Sequence, residues 1–139
     1  MKRILGLDYG EKRIGLSLSD PSKLIATPYK TLENRGINFF LNDIKKIIDH
    51  KSIDYIVLGL PLGINGEDTI QTKKVRKFKS EISVLNLKIY FEDERMSSIS
   101  AMNSMKIEKI KTGHNKEIID RRAAAIILQQ FLDKKKILK

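Results

Sequence analysis

The chain has 139 residues, a length that suits a single domain over 1–139 and leaves little room for a second. The absence of cysteine excludes a disulfide framework and a thiolate metal site, and no apolar stretch is long enough to span a membrane. The 27 basic and 17 acidic residues give a net charge of +10, so we expect an anionic partner, with nucleic acid the commonest kind. Asp8 interrupts the apolar start of the chain, unlike a signal peptide, and we expect a soluble, cytoplasmic protein.

Three strands are predicted at the start of the chain. Residues 3–8 form an apolar run that ends at Asp8, which is typical of a buried strand stopped by a turn. Residues 13–19 alternate apolar and small side chains, and this period of two indicates a strand with one buried face. Residues 24–33 indicate a weaker third strand, which Pro28 places at a sheet edge. Three consecutive strands joined by short turns predict an antiparallel meander.

Helices and short strands follow the meander. The wholly apolar run 55–58 is typical of a strand that is covered on both faces. A helix is predicted over 67–83. Glu67 and Asp68 would lie in its first turn, where the helix dipole stabilises acidic side chains. The remaining predicted elements are helices at 37–50, 97–110 and 118–133, a glycine-bearing loop at 59–66 and a strand at 87–91. The whole predicts an α/β fold, a mixed central sheet with helices on both faces and the first strand in the middle, and we expect the lysine-rich C-terminal tail to fray.

Acidic residues close two of the buried strands. Asp8 ends the first strand, where a charge is costly without a partner or a metal, and ligands of open α/β sheets gather at the carboxyl ends of strands. Glu92, Asp93 and Glu94 end the strand at 87–91. Strand alternation prevents these three from all facing one site, and the pattern alone does not choose among them. The simpler interpretations are a turn aspartate that bonds its own backbone and a solvated strand end.

Asp120 lies near the start of the last helix, on its apolar stripe. The small side chains of Ala123 and Ala124 would let this helix approach the sheet closely and bring Asp120 toward the strand ends. A simpler role for Asp120 is to complement the helix dipole. Two strand-end acids and Asp120 could instead converge on a pair of Mg²⁺ or Mn²⁺ ions, the arrangement that cleaves phosphodiester bonds, and no His or Cys cluster suggests zinc.

Five segments, in one order over nearly the whole chain, carry a family resemblance. They are Gly6–Gly10, Lys12–Gly15, Gly59–Pro61 with Gly66, Asp93–Ser98, and Lys116 with Asp120, Ala123, Ala124 and Ile127–Gln129. This ordered set resembles the YqgF/RuvX family, bacterial proteins similar to Holliday-junction resolvases and assigned to maturation of the 5′ end of 16S ribosomal RNA. Each segment alone is a weak signal, whereas the ordered set is specific.

The resemblance implies a ribonuclease H-like fold and a hydrolase that cleaves phosphodiester bonds with Mg²⁺ or Mn²⁺ while processing the 5′ end of precursor 16S ribosomal RNA. It selects three acids as catalytic and metal-binding, namely Asp8, Glu94 and Asp120. It places three basic residues near the substrate phosphates, namely Arg13, Arg95 and Lys116.

Other functions stay open. Within the nuclease interpretation the substrate could be four-way DNA, as for a Holliday-junction resolvase, which usually requires a symmetric dimer. We expect a monomer or a weak homodimer, since nothing in the sequence specifies a stable one. A non-catalytic RNA-binding module would need the basic surface but not the acids. A sugar-kinase or actin-like ATPase also opens with a strand ending in Asp-x-Gly, but it needs two such domains, which 139 residues cannot supply.

Overall fold

The structure, a computed structural model, describes residues 2–95 and 116–138. The strands in these ranges are β1 (Arg3–Tyr9), β2 (Arg13–Ser19), β3 (Ala26–Glu33), β4 (Ile53–Leu60) and β5 (Ile89–Asp93). The helices are α1 (Ile37–Lys51), α2 (Ile70–Ile82) and α3 (Lys116–Leu138), and a 3₁₀ turn covers Ser83–Leu85. The helix predicted at 97–110 lies outside the described residues.

The described strands form one mixed sheet in the order β3-β2-β1-β4-β5. β1 pairs antiparallel with β2 and parallel with β4, β2 pairs antiparallel with β3, and β4 pairs parallel with β5. The predicted meander and the central position of β1 are therefore confirmed. β3, which contains Pro28, lies at the edge as predicted, where a missing backbone N–H is tolerated.

Helices cover both faces of the sheet, as predicted. On one face, apolar side chains of β1 and β4, including Leu7 and Leu58, pack with α1 and α2 through residues such as Ile44 and Phe78. On the other face, α3 packs against the sheet through a second core cluster that comprises Ile4, Val57, Ile127, Leu128, Phe131 and Leu132. Among the described residues, no helix combines the length and the apolarity that a membrane span requires.

β2 is buried on both faces, so the prediction of a single buried face is wrong. Its small side chains lie beneath α3, and Ser17 and Ser19 are as inaccessible as the apolar residues between them. A Cβ atom on Gly15 would lie 2.0 Å from the carbonyl oxygen of Asp120. The Ser17 hydroxyl donates to the carbonyl oxygen of Ala124 at 2.8 Å. The small residues of β2 thus mark a close helix contact and not a solvent-facing side.

α2 begins at Ile70, three residues later than predicted, because Thr69 forms its N-cap. The Thr69 hydroxyl accepts from the backbone N–H of Thr72, and the Thr72 hydroxyl accepts from the backbone N–H of Thr69. Glu67 and Asp68 precede this cap and lie in the loop before the helix, so they do not occupy its first turn.

α3 extends to Leu138, five residues beyond the end predicted from the sequence, and thus includes the lysine-rich tail up to that residue. Two of its late lysines bind the sheet. The Lys134 ammonium pairs with the buried carboxylate of Glu92 at 2.7 Å, and the Lys135 ammonium donates to the Tyr55 hydroxyl at 3.2 Å. These contacts hold the end of the helix against β4 and β5.

The contact between α3 and β2 predicts that Gly15→Ala destabilises the fold. The added methyl group meets backbone, which can yield only if the helix moves, and such overpacking typically costs about 1–3 kcal/mol. Gly63→Ala is the matched control, because a Cβ there would meet the flexible carboxylate end of Glu67. We expect urea unfolding to show a clearly lower midpoint for Gly15→Ala than for Gly63→Ala. Equal midpoints would contradict the seating of α3 on Gly15.

Candidate active site

The carboxyl end of β1 places Asp8 between two glycines. On β2, the cross-strand partner of Asp8 is Gly15. On β4, Leu58 is the partner of Leu7, and the next residue, Gly59, therefore lies beside Asp8. Strand alternation turns Asp8 to the same face as Gly6, where α3 packs. Because neighbouring strands lie about 4.8 Å apart, the glycines leave room on both sides of the Asp8 carboxylate for groups from other elements.

Asp120 enters this space from α3, above Gly15. The same contact that seats the helix on Gly15 fixes the backbone of Asp120 over β2. The Asp120 carboxylate is largely buried and accepts from Nε of Arg13 at 2.6 Å. Arg13 begins β2, two residues before Gly15. Asp120 therefore lies above Gly15, the cross-strand partner of Asp8, and Arg13 partly neutralises the Asp120 carboxylate.

Glu94 occupies the space above the other glycine. Its backbone N–H donates to the carbonyl oxygen of Leu60 at 3.2 Å, which extends the pairing of β4 and β5 by one residue. A Cβ atom on Gly59 would lie 3.1 Å from Oε2 of Glu94. A side chain on Gly59 would therefore displace the Glu94 carboxylate.

The structure thus brings the three sequence-predicted acids to one end of the sheet, on the face covered by α3. Within residues 2–95 and 116–138, no three His, Cys, Asp or Glu side chains are grouped closely enough to hold a metal ion as they stand. An oxygen of Asp120 is bound to Arg13. The expectation that Asp8, Glu94 and Asp120 share one or two divalent ions therefore stays a prediction.

The two other acids at the end of β5 have structural partners. Glu92 is buried and binds the Lys134 ammonium at 2.7 Å, while its carboxylate also accepts from the side-chain amide of Gln130. Asp93 binds Arg95. Glu92 therefore ties β5 to the late turns of α3, and Asp93 orders the chain just beyond the strand.

Arg95 is directed to the loop before α2. Its guanidinium donates to the Asp93 carboxylate, with Nη2 to Oδ2 at 2.8 Å, and to the carbonyl oxygen of Ile64 at 3.2 Å. The hydrogen bonds from Arg95 lower the pKa of Asp93, and the same contact raises the pKa of Arg95. In this conformation Arg95 fastens the loop to the end of β5.

Lys116 is the first residue of α3 and is exposed. It lines a surface cavity of about 460 Å³ together with Arg13 and Arg121. Two of the three predicted phosphate-contacting residues, Arg13 and Lys116, are therefore neighbours, while Arg95 lies against a different element.

Sequence reasoning missed three contributors to this site. The sequence pattern puts Gly15 on the side of β2 away from the core and Gly59 in a loop, whereas Gly15 lies under α3 and Gly59 lies within β4. The alternation of small residues in β2, read together with Ala123 and Ala124, is the signal that could have found the close contact. Arg121 lines the cavity beside Arg13 because the fold brings α3 next to β2. No local sequence pattern predicts this position.

The sequence model of the RuvX family, described as a Holliday junction resolvase, matches residues 2–134. The chain belongs to the RuvX family. A relative from Maridesulfovibrio salexigens is 37% identical over 131 residues, which cover 94% of this chain and 97% of the relative. A relative from Crocosphaera subtropica is 39% identical over 139 residues, which cover 98% of this chain and 97% of the relative. Both carry the name "Putative pre-16S rRNA nuclease".

The fold of this RuvX-family chain is similar to that of T. thermophilus RuvC, solved in complex with a Holliday junction substrate. The TM-score is 0.63 at 11% sequence identity, and the match covers 98% of this chain and 96% of RuvC. The likeness confirms the predicted ribonuclease H-like fold, and at this identity it concerns the fold alone.

The Asp93–Arg95 contact predicts an acid-sensitive anchor for the loop before α2. Since the pKa of Asp93 is lowered, the stabilisation by this pair is complete at neutral pH and is lost as the pH falls through the lowered pKa. We expect a ¹³C NMR titration of the Asp93 carboxyl to give a midpoint below the ordinary value of 3.8. Arg95→Gln should raise that midpoint, whereas Arg76→Gln, which removes the partner of Asp68 instead, should leave it unchanged. If Arg95→Gln leaves the titration midpoint of Asp93 unchanged, the contact between Asp93 and Arg95 is refuted.

Proposed function

We propose that this chain is a divalent-metal-dependent nuclease that hydrolyses phosphodiester bonds of structured RNA at the end of the sheet formed by Asp8, Glu94 and Asp120. One observation carries the proposal. In a chain of the RuvX family, these acids come from β1, from the residue after β5 and from α3, and they lie at one end of the sheet beside Gly15 and Gly59. The non-catalytic alternative, an RNA-binding module, gives no reason for acids to gather on a chain of charge +10.

The donor set fits Mg²⁺ or Mn²⁺, because all three side chains offer carboxylate oxygens, which these hard cations prefer. Asp8, Glu94 and Asp120 would hold the ions, and the gathering of negative charge at one place is costly unless a cation balances it. When bound, a pair of such ions stabilises both the attacking and the leaving oxygen of the cleaved phosphodiester.

In this proposal Arg13 has two roles: it binds the Asp120 carboxylate, and it can contact the substrate phosphates. In the structure its guanidinium binds an oxygen of Asp120 and balances part of the charge of that carboxylate. Arg13 would have to leave this oxygen for Asp120 to hold an ion, and the released guanidinium would turn to the substrate phosphates. Lys116 and Arg121 line the same surface cavity and would bind neighbouring phosphates. Arg95, predicted to contact phosphate, would first have to leave Asp93.

Precursor 16S ribosomal RNA is the proposed substrate, with cleavage at its 5′ end and action in the cytoplasm as a monomer or weak homodimer. The names of relatives that match over nearly their whole length support this choice. Four-way DNA is the second candidate, favoured by the description of the family and by the RuvC-like fold. The two are separated by offering both substrates to the same preparation with Mg²⁺ or Mn²⁺.

Asp120→Asn tests the catalytic role. Asparagine still accepts a hydrogen bond from Arg13 but loses the charge that a metal ion requires. We expect cleavage of precursor RNA to fall more than about 100-fold, since changing groups that merely support metal ligands already costs about 10–100-fold. RNA affinity and the urea unfolding midpoint should change little. Asp49→Asn, the same substitution on an exposed residue of α1 on the other face of the sheet, should leave cleavage unchanged.

Two results would contradict the proposal. Wild-type protein that cleaves neither precursor RNA nor four-way DNA with Mg²⁺ or Mn²⁺ would favour the RNA-binding module. Cleavage by Asp120→Asn at the wild-type rate, combined with a lowered unfolding midpoint, would reduce Asp120 to a structural partner of Arg13.

A further inference from the structure

A second cleft lies at the opposite end of α3 from the acids. Ile4 near the start of β1 and its cross-strand partner Tyr55 on β4 pack beneath Leu132 of α3. Together with Leu24 and Lys23 of the loop before β3, they line a cavity of about 410 Å³. From Asp120 to Leu132 the helix advances twelve residues, or about 18 Å at 1.5 Å per residue. The cleft and the acids are therefore separate sites along one helix.

Aromatic rings border this cleft. Tyr55 lies edge-on to Tyr90 with ring centroids 5.2 Å apart, and Phe131 of α3 lies 5.8 Å from Tyr90. Tyr90 is 37% exposed, and Leu24, which lines the cleft, is 46% exposed. The partly exposed rings offer flat faces of the kind on which nucleobases stack, and Leu24 adds apolar surface beside them.

Lysines surround the rings. The Lys135 ammonium lies 5.1–5.8 Å from the ring centroids of Tyr55, Tyr90 and Phe131, and Lys23 lies 5.5 Å from that of Tyr55.

Two acids lie beside the cleft. Asp54 pairs with Lys23, and its pKa is lowered chiefly by that hydrogen bond and further by the charges of Lys2 and Lys135. The Asp20 carboxylate accepts from the backbone N–H of Leu24. Among the described residues that line the cleft itself, the charged side chains are Lys23 and Lys135, and both are cationic. Apolar rings framed by cations fit a nucleotide, whose base is apolar on its faces and whose phosphate is anionic.

We propose that this cleft binds a nucleotide from a single-stranded segment of RNA that flanks the cleavage site, with the base against Tyr55 and Leu24 and the phosphate on Lys135 and Lys23. The proposal rests on the proposed function and deepens it. A strand anchored here and at the acids would follow α3, so the enzyme would prefer substrates with a single-stranded tail to fully paired ones.

The test compares two probes in the Asp120→Asn background, which prevents cleavage during the measurement. One probe is a fluorescein-labelled RNA hairpin with a ten-nucleotide single-stranded uridine tail, and the other is the same hairpin without the tail. Fluorescence anisotropy gives the Kd of each over a series of salt concentrations. Lys135→Ala removes one cleft cation, and Lys45→Ala removes one exposed cation from α1 on the other face of the sheet as the matched control.

We expect Lys135→Ala to weaken binding of the tailed hairpin and to flatten its log–log salt slope by about 0.7, the value for one phosphate contact on a single strand. Lys45→Ala should do neither, and the untailed hairpin should respond to neither variant. Tyr55→Leu, which keeps an apolar wall but loses the ring, should weaken the tailed hairpin about fivefold or more, as loss of one stacked base does, with an unchanged salt slope. Urea midpoints establish that the variants are folded.

Equal effects of Lys135→Ala and Lys45→Ala on the tailed hairpin would overturn the proposal, as would equal effects of Lys135→Ala on both hairpins. Lys135→Ala that weakens a deca-glutamate peptide but not the RNA tail would assign the cleft to an acidic protein and overturn it too. This experiment measures binding and not cleavage. A negative result would therefore contradict the proposed cleft but would not contradict the proposed nuclease function. Absence of cleavage by the wild type would contradict the proposed function while these affinities stay measurable.

Discussion

The close contact between α3 and the face of the sheet that carries Gly6 and Gly15 determines where the acids of the candidate site lie. At Gly6 and Gly15 the helix lies so close that a single added methyl carbon would overlap helix atoms. Ala123 and Ala124 meet this surface from the helix side and are completely buried. Removing side chains from both partners lets a helix backbone rest almost directly on strands, and the Ser17 hydroxyl secures the contact by bonding the helix carbonyl of Ala124.

This contact also fixes the chemistry available at the end of the sheet. Asp120 can stand over β2 beside Asp8 only because its backbone rests on Gly15. The arrangement gathers negative charge at the end of the sheet. Arg13 balances part of this charge through a 2.6 Å ion pair with the largely buried carboxylate of Asp120. Such a pair is replaceable, since its guanidinium is attached to a long, partly exposed side chain.

Much of the fold could be predicted from local patterns, because apolar periodicity and turn residues are local properties. The run ending at Asp8, the edge position implied by Pro28 and the doubly covered strand at 55–58 all follow from them. The acids Glu67 and Asp68 predict a helix that starts at residue 67, but α2 starts at Ile70. The reciprocal hydrogen bonds of Thr69 and Thr72 fix the helix start there and outweigh the attraction between the acids and the helix dipole. The buried small face of β2 was missed because a strand side of glycine and serine has the same pattern whether it faces water or a helix backbone.

The candidate site was less accessible to sequence reasoning. The strand-end position of Asp8 and the place of Asp120 on the apolar stripe of its helix predict that the two converge, whereas the choice of Glu94 over Glu92 and Asp93 depends on the family resemblance. The structure places the Glu94 carboxylate over Gly59, while Glu92 binds Lys134 and Asp93 binds Arg95. The Arg13–Asp120 pair joins residues 107 positions apart, and no local signal marks such a contact.

Anomalous diffraction from crystals grown with Mn²⁺ tests whether α3 brings Asp120 to a metal-binding site. We expect an anomalous peak bounded by the carboxylates of Asp8, Glu94 and Asp120, with the Arg13 guanidinium moved away from Asp120. Crystals of Asp120→Asn grown in the same way should show a weakened peak or none. A manganese peak elsewhere on the chain, with the Arg13–Asp120 pair intact, would contradict the claim that α3 delivers Asp120 to a metal-binding site.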